Sequence, residues 1–483
     1  MLSPSVRRHW RWIAAIATGL TLNLAHSYTP WWPAMWFALI PLLCAVLFTP
    51  SLKETIKLTA TASLLGRLYS LLPLIYAPTV VDLLAIIVTA PLFIIPFAVP
   101  LVAITCLWRY IVADARAWYS PLVFSLAAAG VDLLFGLISS HGSWSSWANS
   151  QMNVLPVLQS AAVGGTALVV FVVTLPAATA AVAMARRGTI QVPAVAYGMP
   201  GLLVVGMIVY GYVRLAEAPS MARVPVGLVA SDRADIFPSE AGSTSDPTLT
   251  AYLDAATSLA QQGAVLVMLP EKIEFFEDRA TVRVRDRLAA WARDHDARLM
   301  AGFAIVKPEY RDNVAWLFDR NGDLLAQYSK QHLVPLLEMR YLPGERDVVV
   351  DLDGRRFGIA ICKDMGFPRL ARRYGRGGID AMLTPAWDFV IDGEYHARMA
   401  VLRGIEQGFS VIRTANQGVL TVSDPYGRIV AERTSSDGAV VSLLAEAPVG
   451  SVPTVYRRFG DAFGWMCILV VAVMALRARW RRA

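Results

Sequence analysis

The chain has 483 residues, 55% of them hydrophobic and only 17% charged, with a mean hydropathy of +0.47 and a formal net charge of +7. This balance excludes a disordered chain and an ordinary soluble enzyme, and it points to a protein built partly in a membrane. The charge is also uneven: only eleven lysines and arginines and four acidic residues precede residue 216. Much of the positive excess sits beside apolar runs, so no nucleic acid is expected as a partner. Four cysteines are too few for a disulfide framework.

Crossing about 30 Å of hydrocarbon as a helix takes about 20 apolar residues. Seven such runs precede residue 216, at about 11–27, 33–50, 55–76, 82–107, 120–139, 157–185 and 195–214, and an eighth follows at 461–477. Arg7, Arg8 and Arg11 ahead of the first run imitate a signal peptide. Further runs follow at once without a small-residue cleavage site, so the first is read as a retained anchor. The N-terminus, Lys53, Arg109 with Arg116, Arg186 with Arg187, and the tail RARWRR make alternate connections basic, whereas 28–32, 77–81 and 140–156 have no lysine or arginine. By the positive-inside rule both termini are expected in the cytoplasm and residues 216–460 outside it, periplasmic in a bacterium. The expected division is a membrane domain of seven helices (1–215), a soluble domain (216–460), and an eighth helix with a basic tail (461–483).

Arg67 and Asp132 each fall about twelve residues into an outward-running span. An ion pair inside the bundle is the simplest reading, and a headgroup or proton site the functional one. Pro91, Pro96 and Pro100 suggest kinks in one span. In the Trp-, Ser- and Asn-rich connection 140–156, Trp144 and Trp147 are expected as interfacial anchors, able also to rim a lipid entry.

The soluble half alternates β-rich and helical runs. Strands are expected at 224–231, 264–270, 298–306, 381–387 and 409–416, with helices at 247–263, 278–296 and 394–408. Hairpins are expected at 313–330, turning at Asn321-Gly322, and at 347–362, turning at Asp353-Gly354. Residues 419–433 continue the sheet, and 232–246 read as a surface loop. The class is α/β with long hairpins.

Three residues stand where a sheet presents chemistry. Glu271 follows a buried strand, Lys330 ends a hairpin arm, and Cys362 ends the strand FGIAIC. Strand ends are where a rigid scaffold offers functional groups. Cys362 is the one cysteine outside the predicted spans, so it has no disulfide partner in its own domain. An acid, a lysine and a thiol together suit nucleophilic catalysis. No histidine or cysteine spacing suggests a metal, and no cofactor is expected.

The segments LPE ending at Glu271, KQHLVPLLE from Lys330 to Glu338, ICKDMGFP around Cys362, RGIE (403–406) and RTANQG (413–418) resemble the nitrilase, or carbon–nitrogen hydrolase, superfamily. With WWPAMWFALIPLL near the start, NSQ (149–151) and the eight spans, the whole chain is similar to the apolipoprotein N-acyltransferase family within it. The resemblance implies an αββα sandwich beside a multi-pass helical membrane bundle. It further implies Cys362 as nucleophile, Glu271 as general base, Lys330 as oxyanion stabiliser and Glu338 in support, with Lys363, Asp364 and Trp387 facing substrate; Trp144 and Trp147, from their place in the 140–156 connection, are further substrate-facing candidates. The expected activity moves an acyl chain from a membrane phospholipid, through a Cys362 thioester, to the α-amine of a diacylglyceryl-cysteine on an apolipoprotein, in a monomer of the bacterial inner membrane. A membrane-tethered amidase with water as acceptor is the alternative. His332, His396, Arg413 and Asn416 are expected to be structural.

The chain also departs from the family pattern. Lys363 and Asp364 replace an aromatic residue and glutamate after the cysteine. Leu336 and Leu337 replace Phe-Gly, Leu269 replaces a tryptophan, and Thr384-Pro385 replaces Asn-Asp.

Overall fold

The computed structural model describes residues 4–49, 51–76, 80–112, 118–185, 195–232, 246–437 and 439–480. Arg116, Arg186, Arg187 and nearly all of the 232–246 loop lie outside them, as do the side chains of Pro91 and Pro96. The chain divides into two compact units, Met1–Glu217 with Phe459–Ala483, and Ala218–Arg458.

In the first unit, four helices among the described residues are long and apolar enough to cross a membrane: Ser120–Ile138, Ala161–Met184, Tyr197–Ala216 and Ala462–Trp480. They answer to the runs expected at 120–139, 157–185, 195–214 and 461–477. The other four expected runs are not among them. The run at 11–27 belongs to the helix Pro4–His26, whose first turns carry three arginines. The run at 33–50 divides into Ala34–Phe37 and Ile40–Leu47, with a proline opening the second piece. The run at 55–76 is a helix, Leu52–Leu65, capped at Gly66 and continued by a tighter 3₁₀ segment, Leu68–Tyr76. The run at 82–107 lies in the helix Val80–Val112. Apolar composition specifies burial but not continuity, and prolines and glycines decide where a run breaks.

Two segments of the family resemblance meet in this unit. Trp36 donates its indole N–H to Gln151 Oε1 at 3.0 Å, and Gln151 donates Nε2 to the Trp32 carbonyl at 3.0 Å. Arg67 is buried and donates to the Tyr69 hydroxyl at 3.0 Å, while the Ser146 hydroxyl donates to Asp132 at 3.0 Å. Arg67 and Asp132 line one cavity of about 30 Å³ with Ser143, Ser145, Ser146 and Trp147. Trp147 is buried and its ring centre lies 6.0 Å from that of His26, so it is not an exposed interfacial anchor. Trp144 is half-buried, 6.3 Å from Tyr28.

The second unit is built on two sheets. The first contains β1 (Ala222–Ala230), β2 (Leu266–Met268), β3 (Glu274–Glu277), β4 (Arg298–Val306), β5 (Arg311–Phe318) and β6 (Leu324–Ser329). The second contains β7 (Val348–Leu352), β8 (Arg355–Ile359), β9 (Ala381–Trp387), β10 (Ser410–Asn416), β11 (Val419–Ser423) and β12 (Ile429–Thr434). A last strand, β13 (Val441–Val449), returns to the first sheet and pairs antiparallel with β1. The orders are β13-β1-β2-β4-β5-β6, with β3 on β4, and β12-β11-β10-β9-β8-β7. Both hairpin turns fall where expected, with Gly322 at φ +82° and Asp353-Gly354 at φ +55° and +75°.

Strand periodicity assigns the layers. Val226, Leu228, Met300 and Leu317 of one sheet pack against Phe357, Ile359, Leu383 and Ile412 of the other. The intervening residues turn outward. Val229, Leu299, Phe303 and Trp316 meet the helices Asp246–Gln261 and Thr281–His295. Met382 and Val411 meet the helices Pro368–Arg376 and Gly393–Gln407. Alternate residues of a strand face opposite sides, and here both sides are apolar. The result is the four-layer αββα sandwich of a nitrilase-like α/β domain.

Candidate active site

The parallel strands β2 and β8, one in each sheet, end near each other, and the antiparallel β6 ends beside β2's successor. Glu271 follows β2 by three residues, Lys330 follows β6 directly, and Cys362 follows β8 by three. The structure brings all three together with Glu338, which lies in the connection after β6.

Glu271, Lys330 and Glu338 are each only 1–2% exposed, so their charges must be met inside the protein. Lys330 Nζ lies 2.9 Å from Glu271 Oε1 and 3.0 Å from Glu338 Oε2. Asn313, on β5, donates Nδ2 to Glu271 Oε1 at 2.6 Å and to Glu338 Oε1 at 3.0 Å. The other Glu271 oxygen accepts the Trp387 backbone N–H at 3.0 Å, and the Val334 N–H donates to Glu338 Oε2 at 2.8 Å. Burial raises both carboxyl pKa values, but the Lys330 and Lys272 ammoniums overcome it, and both glutamates end below the ordinary range, Glu338 at about 2. Burial works against the Lys330 charge too, and Glu271, Cys362 and Glu338 reverse it, leaving its pKa well above normal.

Cys362 occupies a left-handed backbone conformation, φ +47°, at the turn from β8 into a 3₁₀ segment, Cys362–Gly366. A non-glycine residue there is strained, and such strain gathers at functional sites. The thiol donates to the Trp387 carbonyl at 3.4 Å. Trp387 therefore links base and nucleophile through its two backbone groups, and its indole N–H donates to Gln417 at 3.2 Å. Burial, and then the Glu271 charge, push the Cys362 pKa far up, so the resting thiol is neutral. An ionised carboxylate, a neutral thiol and an ammonium in one buried cluster can run base-assisted nucleophilic attack on a carbonyl.

The residues after the cysteine do not behave alike. Lys363 is 8% exposed and donates to the Leu333 carbonyl at 2.8 Å, and burial lowers its pKa to about 8. Its ammonium is therefore held by the protein rather than by solvent. Asp364 faces inward rather than toward substrate. It is fully buried, with Oδ2 accepting from the Tyr328 hydroxyl at 2.7 Å and the Ile361 N–H at 3.1 Å, and Oδ1 from the His332 N–H at 2.8 Å. His332 Nδ1 lies 2.9 Å from the same oxygen and its ring stacks on Phe367 at 3.6 Å. Asp364 thus fastens the nucleophile's turn to the segment after Lys330. Arg413 pairs with Asp388 at 2.5 Å, His396 with Asp392 at 3.2 Å, and Asn416 Oδ1 accepts from Ser231 and Tyr252. Among the described residues, no group of three or more histidine, cysteine or acidic side chains is arranged to hold a metal.

Two participants are missing from the sequence reading. Asn313 sits unremarked within a strand. Lys272 follows Glu271 at φ +51°, and its Nζ reaches Glu338 Oε1 at 2.9 Å and Glu271 Oε1 at 3.6 Å. Left-handed backbone at Lys272, Leu336, Cys362 and Gln417 is a structural signal with no counterpart in composition.

The second unit's site is that of a carbon–nitrogen hydrolase domain, and residues 237–443 match the carbon–nitrogen hydrolase family. Residues 18–179 match the apolipoprotein N-acyltransferase N-terminal domain. Over nearly its whole length the chain is thus similar to the apolipoprotein N-acyltransferases, and it is an enzyme of the acyltransferase class. It is 24% identical to an apolipoprotein N-acyltransferase of Geobacter metallireducens, covering 98% of this chain and 96% of that protein. It is 27% identical to that of Rhodopseudomonas palustris, over 75% of each. Among solved structures, an amidase from Nesterenkonia sp. is similar at 22% identity and a TM-score of 0.40, over 50% of this chain and 95% of that one.

Proposed function

We propose that the protein transfers an acyl chain from a membrane phospholipid to the α-amine of a diacylglyceryl-cysteine at the N-terminus of an apolipoprotein, in two steps through Cys362. In the first step, Glu271 takes the thiol proton as sulfur attacks the ester carbonyl, and Lys330 stabilises the oxyanion. The C–O bond breaks, the departing alkoxide takes the proton back from Glu271, and a lysophospholipid leaves a thioester on Cys362. In the second step the neutral amine attacks the thioester and passes a proton to Glu271. The C–S bond breaks, the amide leaves, and the thiolate recovers the proton. Glu338 holds Lys330 in place, and Lys363 and Trp387 flank the acyl group.

The observation that carries this reading is the buried Glu271–Lys330 pair at 2.9 Å, tied through Trp387 to a neutral thiol in a chain that also has membrane-length helices. Both substrates are lipids, so an enzyme held at the bilayer meets them at high effective concentration. In this reading the chain is a monomer of the bacterial inner membrane that crosses it eight times. Four crossings use the four membrane-length helices, and the segments at 11–27, 33–50, 55–76 and 82–107 supply the rest. Both termini are cytoplasmic and the catalytic unit periplasmic.

Intact-protein and peptide mass spectrometry after incubation with phospholipid tests the chemistry, with Cys362→Ala as control. An acyl mass on the Cys362 peptide, discharged by a diacylglyceryl-cysteine peptide, is the expected result. Discharge by water alone would replace the transferase with a hydrolase. No adduct on folded protein would remove the phospholipid donor.

A further inference from the structure

We infer that Lys272 is a positioning residue of this site: its ammonium holds Glu338 and balances the second carboxylate's charge, so that Glu271 stands beside the thiol as an ionised base. The inference deepens the reading of Glu271 as base and rests on it.

The backbone makes the arrangement possible. At φ +51° the chain reverses directly after Glu271, which brings the next side chain back over the carboxylate it follows. A regular strand would send that side chain to the opposite face. Lys272 Nζ sits 2.9 Å from Glu338 Oε1 and 3.6 Å from Glu271 Oε1, with its side chain only 15% exposed. Its charge also lies 5.6 Å from the centre of the Tyr341 ring and 5.8 Å from that of Trp387. Two aromatic faces offset part of the cost of removing an ammonium from water.

The charge count gives the purpose. Glu271, Glu338 and Lys330 alone would leave a buried cluster with one uncompensated negative charge beside the thiol. Lys272 brings the sum to zero. When the thiol proton moves to Glu271 and the oxyanion forms, the sum is still zero, because one negative charge has only changed place. Other charged groups facing the cluster leave this count intact. From the β9 and β10 ends, Asp388 and Arg413 pair with each other at 2.5 Å. Behind them His396 is paired with Asp392. Lys363, in the nucleophile's turn, is held by the Leu333 carbonyl and its charge is offset by the Asp364 carboxylate of the same turn, and Tyr341 is a neutral phenol whose pKa burial raises.

Lys272→Met tests the inference with the least disturbance, since it keeps an unbranched stem and a Cβ at the same left-handed position. The readout is the pH dependence of single-turnover Cys362 acylation by phospholipid, followed by intact mass. We expect the acid limb to move up by about one pH unit, so that acylation below the limb slows about tenfold. Lys272→Arg restores the wild-type limb. Lys272→Gln, which can still donate to Glu338 but has no charge, behaves like Lys272→Met, and it serves in its place if the latter does not fold. An unmoved limb in a folded Met or Gln variant overturns the inference, as does a limb in Lys272→Arg displaced as far as in Lys272→Met. Glu271→Gln separates the two levels. If acylation survives that change, the base assignment falls and takes this inference with it. If acylation is lost there while the Lys272→Met limb stays put, only the role of Lys272 falls.

Discussion

Buried charge occurs in both units of the protein, and the two treat it differently. In the Ala218–Arg458 unit, two carboxylates and two ammoniums form a closed cage with contacts of 2.9–3.6 Å, backed by Asn313. In the helical unit, Arg67 and Asp132 face a cavity of about 30 Å³ lined by serine hydroxyls, enough for a water or two. The cage is anchored on strand ends and is largely buried, with Glu271, Lys330 and Glu338 at 1–2% exposure and Lys272 at 15%, so its charges act at lowered dielectric and fixed distance. The cavity has slack, and water can share the electrostatic load. Rigid satisfaction suits a site that must steer a proton, and a cavity with room for water suits charge that needs only to be tolerated.

The sharpest way to break the comparison is Lys330→Met. It leaves Glu271 and Glu338 with Lys272 as the remaining ammonium and removes the oxyanion stabiliser. Losing one partner of a buried ion pair costs about 3–5 kcal/mol, and losing an oxyanion donor costs about 10²–10³ in rate. Denaturation at neutral pH and single-turnover acylation measure the two effects. The pH dependence follows from the glutamates. Glu338 has its folded pKa at about 2, against about 4.3 unfolded. Its contribution is therefore present above pH ~4.3 and is lost as pH falls through the folded value. In Lys330→Met the folded pKa rises, so the stability gap between wild type and variant should narrow between neutral pH and about pH 3. A gap that stays constant would show that Lys330 is not what holds these carboxyls ionised.

Next in size is Asp364→Asn. The carboxylate collects donors from Tyr328, Ile361 and His332, and an amide offers only one oxygen and turns an N–H toward another donor. Hydrogen bonds to charged groups are worth about 1.5–3 kcal/mol each. The variant should lose about 2–3 kcal/mol by denaturation, with acylation lost as the Cys362 turn comes loose. Normal stability with weakened phospholipid affinity would return Asp364 to the substrate-facing role expected from its place in the sequence.

That residue shows where sequence legibility stops. Glu271, Lys330 and Cys362 were readable because strands have a simple period and their ends are marked by prolines, hairpins and turns. Asp364 and Lys272 were not, because each depends on one left-handed backbone position, at Cys362 and at Lys272 itself. A lysine beside a glutamate reads as surface charge until the chain is seen to reverse. The strand β3, EFFE, is too short to display a period, and its Phe276 is buried on Phe303 and Trp316. The strand β13 escaped notice because its partner β1 lies more than 200 residues earlier in the chain. In the helical unit, hydropathy located the apolar runs but not the breaks within them, such as Gly164 and Gly165 inside Ala161–Ala185.

Gly302→Ala probes the cage through its frame. A Cβ there would come within 2.5 Å of the Pro270 carbonyl oxygen and 2.7 Å of Glu271 Cα, both backbone atoms with little freedom to move. Overpacking of this kind costs about 1–3 kcal/mol. Here the strain falls on the residue that bears the base, so acylation should drop while the thiol stays accessible to a small alkylating reagent. Equal loss of alkylation and acylation would mean that the whole site has shifted.

The smallest effect is expected in the other unit. Asp132→Asn keeps an oxygen that can accept from the Ser146 hydroxyl, now at 3.0 Å, and removes a charge from a cavity with room for water. Polar contacts within helical bundles average only about 0.6 kcal/mol by double-mutant cycles. Unfolding in mild detergent should therefore change by well under 1 kcal/mol, and Cys362 acylation should be unaltered. The double variant Asp132→Asn with Arg67→Met should cost less than Arg67→Met alone, because the single change removes only one of the two opposite charges that face the cavity. A large loss from Asp132→Asn by itself would mean that the cavity is as tightly balanced as the cage, and the contrast between the two units would disappear.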